Sequence, residues 1–437
     1  MKRRNFLTLT TGAAAGAALA ACGNDGPAGS ESGGGGGSAS YWSLSGEPGE
    51  PYRKAAIDRF NKANPDSKIT PTFFQNDAYK QKIKTALGAN QAPTLIWGWG
   101  GGGLKSYVEA GQVEDLTSFF GDAALKSKLL PGSFGAATVD GKIYAMPVET
   151  VQPIVFYYNK KVFEQVGVSA PQTYGDILDL IPKFNAKGIA PFSLAGQSRW
   201  TNMMWLEFML DRNAGSEVFD NVFAGKAGAW SDPAVLDMLT KVQDLVKMNA
   251  FQKGFASTAA DTNADQALLY TGKAAMMVHG SWSYGIQKAN GGKFVADGGL
   301  GWMNFPPIDG GKGDPTNTVG NPGQYLSISS KATAADKETA KKFFSTTLVD
   351  DEEKAGWVKS GGVPVLANSD SLYTGEDAQF QKDMSAIAAG AKTFAQSWDQ
   401  ALSPTASEVL LDNIAKLFQL QVSPQQWVDN MNGVIGK

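Results

Sequence analysis

From Tyr41 onward, apolar positions recur with two alternating periods. Tyr41-Trp42-Ser43 is a short apolar start that predicts a strand. From Pro51, Ala56, Phe60 and Ala63 share one helical face, Arg53, Lys54, Asp58 and Lys62 cover the other, and Asn64-Pro65 ends the pattern. Lys68 to Phe74 alternates with period two, as a half-buried strand does. A second helix, expected to be capped by Asp77, carries Tyr79, Ile83 and Leu87 at spacing four. The run Thr94-Leu95-Ile96-Trp97 predicts a third strand. The resulting βαβαβ order is that of a parallel sheet in an α/β domain.

Ahead of this pattern the chain reads differently. Lys2-Arg3-Arg4, an apolar Ala-rich run from Phe6 and the small residues before Cys22 make residues 1–21 a secretory signal. The run is too short and too diluted with Gly and Ala for a membrane span, which takes ~20 apolar residues. Arg3-Arg4-Asn5-Phe6-Leu7 resembles a twin-arginine export signal. Leu19-Ala20-Ala21-Cys22 resembles a bacterial lipobox, in which the Cys22 thiol is diacylated and the chain is cut just before it. A plain cleaved signal with Cys22 left free is the alternative. Residues 22–40 then form the lipid anchor and a linker, because the Gly, Ser and Ala of Gly23 to Ser40 bury little apolar surface and keep high backbone entropy. The expected location is extracytoplasmic, on the outer face of the cell membrane.

Charge and composition narrow the chemistry. The formal charge of −3 becomes about −6 once the three basic residues of the signal are removed, so no electrostatic footprint for nucleic acid is present. The chain of 437 residues is long enough for two domains, and with Cys22 used as the anchor it must fold without disulfides. His279 is the only histidine, which leaves no His-rich metal site and one candidate base for a Ser-His-Asp triad; it reads as structural. No G-x-S-x-G elbow or D-x-D-x-D-G loop occurs, and no cofactor or metal is expected. Gly98-Trp99-Gly100-Gly101-Gly102-Gly103 formally matches G-x-G-x-x-G after a strand, but Leu104 stands where a P-loop needs glycine before Lys105. A glycine-rich loop with tryptophans at the carboxyl end of a strand instead suits a ligand in an open α/β sheet, the glycines letting it approach the backbone. Trp99 is favoured for the ligand; Trp97 fits ligand or core equally.

Gly141 to Glu164, with Tyr144, Pro147 and Tyr157-Tyr158-Asn159-Lys160, resembles the "Y-x-x-P…YYNK…F" segment of extracytoplasmic solute-binding proteins of ABC transporters, in the maltose and oligosaccharide group. Val168 to Leu178 is similar to that family's "P-x-T-W-D-E-L", with Tyr174 in place of Trp. Tyr270 to Trp282 is similar to its "F-x-x-G-K-A-A-M-x-x-x-G-x-W", the most specific match. Gly301 to Pro307 looks like the second crossing between lobes and Gly362 to Val365 like the third. The resemblance implies an α/β, two-lobed periplasmic-binding-protein fold with three hinge crossings and a central ligand cleft. Residues 41–148 plus 307–362 would form the N-terminal lobe, and 149–306 plus 363–437 the C-terminal lobe.

The resemblance also implies a function. The chain would be a lipoprotein, not an enzyme, that captures an oligosaccharide by hinge closure and delivers it, as a monomer, to an ABC permease and its ATPase subunit. Sugar rings need aromatic platforms and a few convergent polar groups, and the chain has 11 Trp. The family's stacking aromatic maps onto Trp282, and a second falls at Trp398. Beside it, Asp399 would accept two hydroxyl hydrogen bonds. Glu149 matches an acidic ligand contact. Asn76 is a contact or a cap, Arg199-Trp200 follow a strand at Pro191 to Leu194 and reach the cleft or the surface, and Gln324 follows the Gly320-Asn321-Pro322-Gly323 turn. Phe74 through Gly103 resembles actinobacterial binding proteins for plant-polymer fragments such as xylobiose. A polyol or peptide as the solute, or an exported glycosidase with paired carboxylates, are the alternatives.

Overall fold

A computed structural model of the chain describes residues 37–437; the signal segment 1–21, Cys22 and the linker up to residue 36 lie outside the described residues. Strand β1 (Ser38–Leu44) starts earlier than Tyr41. It pairs in parallel, residue for residue, with β2 (Lys68–Phe74), and Ala39 is fully buried. Ser38 to Ser40 therefore belong to the sheet and not to the tether: small residues suffice where the backbone finds a partner, which composition does not reveal. Between the strands, α1 (Gly49–Ala63) buries Ala56, Ile57 and Phe60, and α2 (Asn76–Gly88) buries Tyr79, Ile83 and Leu87. Asp77 is not the cap of α2. Gln75 holds that position, and Asp77 lies in the first turn. Next come β3 (Leu95–Gly98) and α3 (Gly101–Glu109), whose first turn takes up most of the glycine run.

The remaining elements needed for the site follow in order: β4 (Met146–Val148), β5 (Thr150–Asn159), β6 (Ala190–Phe192), α4 (Trp200–Ala214), β7 (Ala274–Gly280), β8 (Leu300–Met303), β9 (Thr318–Asn321), β10 (Gln324–Ile328), β11 (Val363–Pro364), α5 (Ala378–Gly390), β12 (Phe394–Gln396) and α6 (Pro404–Phe418). The first sheet has the order β2-β1-β3-β10-β4, with β10 antiparallel to both neighbours. The second has the order β12-β9-β5-β7-β6, and β5 also pairs with β8 and β11. Both sheets are covered by helices. Helix α4 is buried from Thr201 to Arg212 because it runs through the middle of the second lobe, where Trp205 and Phe208 pack on Phe305.

The chain changes sheet three times, and the middle change is not where the sequence placed it. Glu149, at φ +64, makes the first turn between β4 and β5. The stretch Gly301 to Pro307 stays in the second lobe: β8 pairs with β5, and Phe305 is buried. The loop beyond is strapped there by buried Arg212, which donates to the Phe305 and Asn317 carbonyls. The second crossing is Pro322-Gly323, between β9 in the second sheet and β10 in the first. Residues 307 to 321 thus move from the first lobe to the second. The third passage ends at β11, which pairs with Val151 and Thr150.

Candidate functional site

The carboxyl ends of the parallel strands in the first lobe and the ends of β6 and β7 in the second face one another across a cavity of about 260 Å³. This is where open α/β sheets carry ligands, because loops diverge there and leave a crevice. On the first-lobe side, the Trp97 and Trp99 rings meet edge to face, 4.7 Å between centroids, with Tyr79 against both. Tyr79 Oη donates to the Trp97 carbonyl. Trp97 is buried and turns its edge inward: its Nε1 donates to Glu149 Oε1 at 2.6 Å. Trp99 is half-buried and lines the cavity.

Glu149 is already engaged. Arg53 grips it with two parallel hydrogen bonds, Nε to Oε1 at 2.7 Å and Nη2 to Oε2 at 2.6 Å, while Nη1 donates to the Leu44 carbonyl. Such a fork is short, charge-assisted and directional. It fixes the first turn of the hinge to the first lobe, and Glu149 still lines the cavity.

From the second lobe come Trp200 and Trp282, with centroids 6.1 Å apart and His279 against each at 5.5 and 5.3 Å. The Trp282 ring lies over Gly280, where any β-carbon would run into it. The Gly-x-Trp spacing of the motif thus has a steric cause. Gly280 N–H donates to His279 Nδ1 at 3.0 Å, so the proton of the neutral ring sits on Nε2. Burial pushes the His279 pKa down to about 4 and keeps the ring neutral. Asp265, 3.6 Å behind it, is pushed up to about 7, also by burial.

The lobes touch around the cavity. Lys80 pairs with Asp399 at 3.1 Å and sits 5.0 Å from the Trp99 ring. Ser198 Oγ donates to Asp77 Oδ2 at 2.9 Å, and the Asp77 N–H donates to Asp261 Oδ2 at 3.2 Å. Burial, reinforced by the charge of Asp77, raises the Asp261 pKa. Gln396 Nε2 donates to the Trp99 carbonyl at 2.8 Å. At Gly101 and Gly102 a β-carbon would collide with Gln396 and with the Leu402 carbonyl. The glycine run therefore lets the lobes meet, and it is this role, not ligand access to the backbone, that demands glycine there.

Of the residues singled out in the sequence, Asn76, Trp97, Trp99, Glu149, Trp200, Trp282, Gln324 and Asp399 line this one cavity. Asn76 also donates to Asp77 Oδ1 at 2.9 Å. Two do not reach it. Trp398 is buried in the second-lobe core, its ring stacked on Phe219 at 4.7 Å and 11°, while its backbone N–H donates to Glu207 Oε1. Arg199 turns outward through a positive φ of 63° to meet Glu408 and Asp412, two acidic residues one turn apart on α6. The sequence reading missed Asn321, Lys80 and Asp261, read the buried His279 as structural, and placed Arg53 on the solvated face of α1. The signal for Arg53 was its position, in the first turns of a helix that follows a strand's carboxyl end.

A larger groove of about 1350 Å³ lies beyond the interlobe contact, between α3 and the Val222 to Gly225 turn. It lacks the convergence of buried polar side chains on aromatic faces that marks the smaller cavity.

A family model described as bacterial extracellular solute-binding protein matches residues 42–354. The xylose/arabinose-binding protein of Haloferax volcanii is 26% identical over 276 residues, 61% of this chain and 58% of that protein, so the chain spans under two thirds of that relative. A solved structure reported with biochemical and structural insights into xylan utilization by Caldanaerobius polysaccharolyticus is similar at a TM-score of 0.80 and 33% identity, covering 91% of this chain and 100% of that one. A chitin oligosaccharide binding protein is similar at a TM-score of 0.81 and 25% identity, covering 91% and 97%.

Proposed function

Because the chain belongs to the bacterial extracellular solute-binding proteins, we propose that it captures a short, uncharged oligosaccharide between its lobes and hands it intact to an ABC permease driven by an ATPase subunit. The observation that carries this reading is the composition of the cleft. Indole rings from both lobes line it, at Trp99, Trp200 and Trp282, and unpaired polar atoms accompany them. Trp200 Nε1 and Gln324 Nε2 are donors without partners among the described residues, and Asn321 Oδ1 is an acceptor without one, whereas His279 Nε2 faces the buried Asp265 carboxylate. Buried polar groups left unmet cost stability, so such a set implies a ligand that meets them. Sugars do so with hydroxyl edges while their C–H faces lie on the indoles.

Charge separates this from an anionic solute. Both full cations lining the cleft are committed, Arg53 to Glu149 and Lys80 to Asp399, and His279 is neutral. A phosphate or carboxylate would have to displace a carboxylate already in place. Size favours a short sugar, since about 260 Å³ lies just under the ~300–1,000 Å³ usual for ligand pockets. Xylobiose is the leading candidate, on the resemblance of Phe74 through Gly103 and the xylan-related neighbour. We further assign Asn76, Trp97, Glu149 and Asp399 to the wall of the ligand site, and a diacylated Cys22 to membrane attachment of a monomer. Isothermal titration with xylobiose, cellobiose, maltose and chitobiose, followed by chromatography of the recovered sugar, tests this. Binding of at least one sugar with full recovery is expected; shortened products would make the protein a glycosidase, and no binding would refute the reading.

A further inference from the structure

The second crossing is flanked by two amides with opposite deficits. Asn321 closes β9 in the second sheet, opposite Gln152, and Gln324 opens β10 in the first, opposite Val148. Both line the cavity, with exposures of only 6% and 1%. The orientation of Gln324 is fixed because its Oε1 accepts the N–H of Thr150 at 3.2 Å, which ties the first crossing to the second. That leaves Gln324 Nε2 as a buried donor with no partner among the described residues, and Asn321 Oδ1 as a buried acceptor with none. Only two residues, Pro322 and Gly323, separate them, and the chain changes lobe between them.

We propose that a single hydroxyl of the bound sugar bridges this pair, accepting from Gln324 Nε2 and donating to Asn321 Oδ1, so that the ligand pins the hinge at its second crossing. The inference rests on the sugar-binding reading above. A hydroxyl donates and accepts at once, whereas an ether oxygen only accepts and an ammonium only donates. The pair therefore selects a free hydroxyl at one ring position. Because its halves belong to different lobes, the bridge exists only when the lobes hold one relative orientation. A ligand shifts a hinge equilibrium only through contacts that differ between the two states, and this bridge is such a contact.

The test uses the full folded chain and the tightest binder among xylobiose, cellobiose, maltose and chitobiose. Gln324→Glu keeps an acceptor for Thr150 and replaces the donor with a second, charged acceptor; Asn321→Ala removes the acceptor. Each should weaken binding by about tenfold or more in titration calorimetry, a tenfold loss being ~1.4 kcal/mol. The double variant should be no weaker than the worse single variant by more than about threefold, since both read one hydroxyl. Asn321→Asp, which retains an acceptor oxygen, should lose less affinity than Asn321→Ala. With sugar at saturation, small-angle scattering should give Gln324→Glu a larger radius of gyration than the parent. Unchanged affinities, losses that multiply in the double variant, or an unchanged radius would each overturn the proposal while the parent still binds sugar. A parent that binds none of the four sugars would remove the sugar-binding reading itself, and the bridge with it.

Discussion

Gly280 and Trp282 show how much one residue's surroundings decide. The indole rests on a backbone position that has no side chain, and this holds its face at the cleft beside Trp200 and His279. Trp282→Ala should lower sugar affinity by ~2 kcal/mol or more, the usual cost of truncating an aromatic anchor, with little change in melting temperature; calorimetric titration and thermal unfolding check both. Trp398→Ala should behave oppositely. It empties a core site between Phe219 and Trp230, so ~3–5 kcal/mol of stability should be lost, while the folded fraction binds with near-parent affinity. Both tryptophans stood at segment ends in the sequence, and nothing in their immediate neighbours told them apart. The difference arises from tertiary placement: Trp398 opens a helical segment of only four residues, too short for a periodicity to show its buried face. Arg199 and Trp200 are harder still, being adjacent yet sent in opposite directions by one positive φ.

Among elements, α3 carries the least expected role. Its first turn is pressed against Gln396, Gln400 and Leu402 of the other lobe, and glycine is what permits the approach. Gly102→Ala should therefore oppose closure and leave each lobe intact. We expect about a tenfold loss of affinity for whichever sugar binds, equivalent to ~1.4 kcal/mol, and a ligand-free melting temperature near that of the parent. A variant that binds as tightly as the parent would show that Gly102 is not needed for closure. The strand and helix order of the first lobe was legible because its periods are strong: the Tyr79, Ile83, Leu87 stripe and the alternation of Lys68 to Phe74 both lie where they were read. The second crossing was not. Pro306-Pro307 reads as a boundary, but what holds Gly301 to Asn321 to the second lobe is pairing with β5 and the carbonyl contacts of Arg212, both nonlocal.

At the scale of the whole molecule, buried carboxyls set the response to pH. Burial pushes Glu207 up to about 8 and Glu353 and Asp265 up to about 7. In the unfolded chain such groups titrate near ~4. Their contribution is thus full below that value and is lost as pH rises through the folded values. His279 works the other way: its pKa is lowered by burial, so its contribution is present above ~6.5 and is lost as pH falls toward about 4. Between pH 6 and 9 the carboxyls dominate, and the melting temperature should decline as pH rises. Glu207→Gln, which keeps an acceptor for the Trp398 N–H, should flatten that decline; an equally steep profile would show that Glu207 ionises normally. The two-lobed architecture and the hinge were legible only through motifs, because periodicity identifies strands and helices but does not say which sheet a strand joins. One consequence concerns light. Trp97 and Trp99 stand 4.7 Å apart at 80° in one lobe, and Trp200 and Trp282 share a neutral imidazole in the other. Indoles this close exchange excitation, and ring-stacking by a sugar excludes water from their faces. The molecule thus carries two chromophore pairs facing one cavity, and its emission and near-ultraviolet dichroism should follow occupancy without any label.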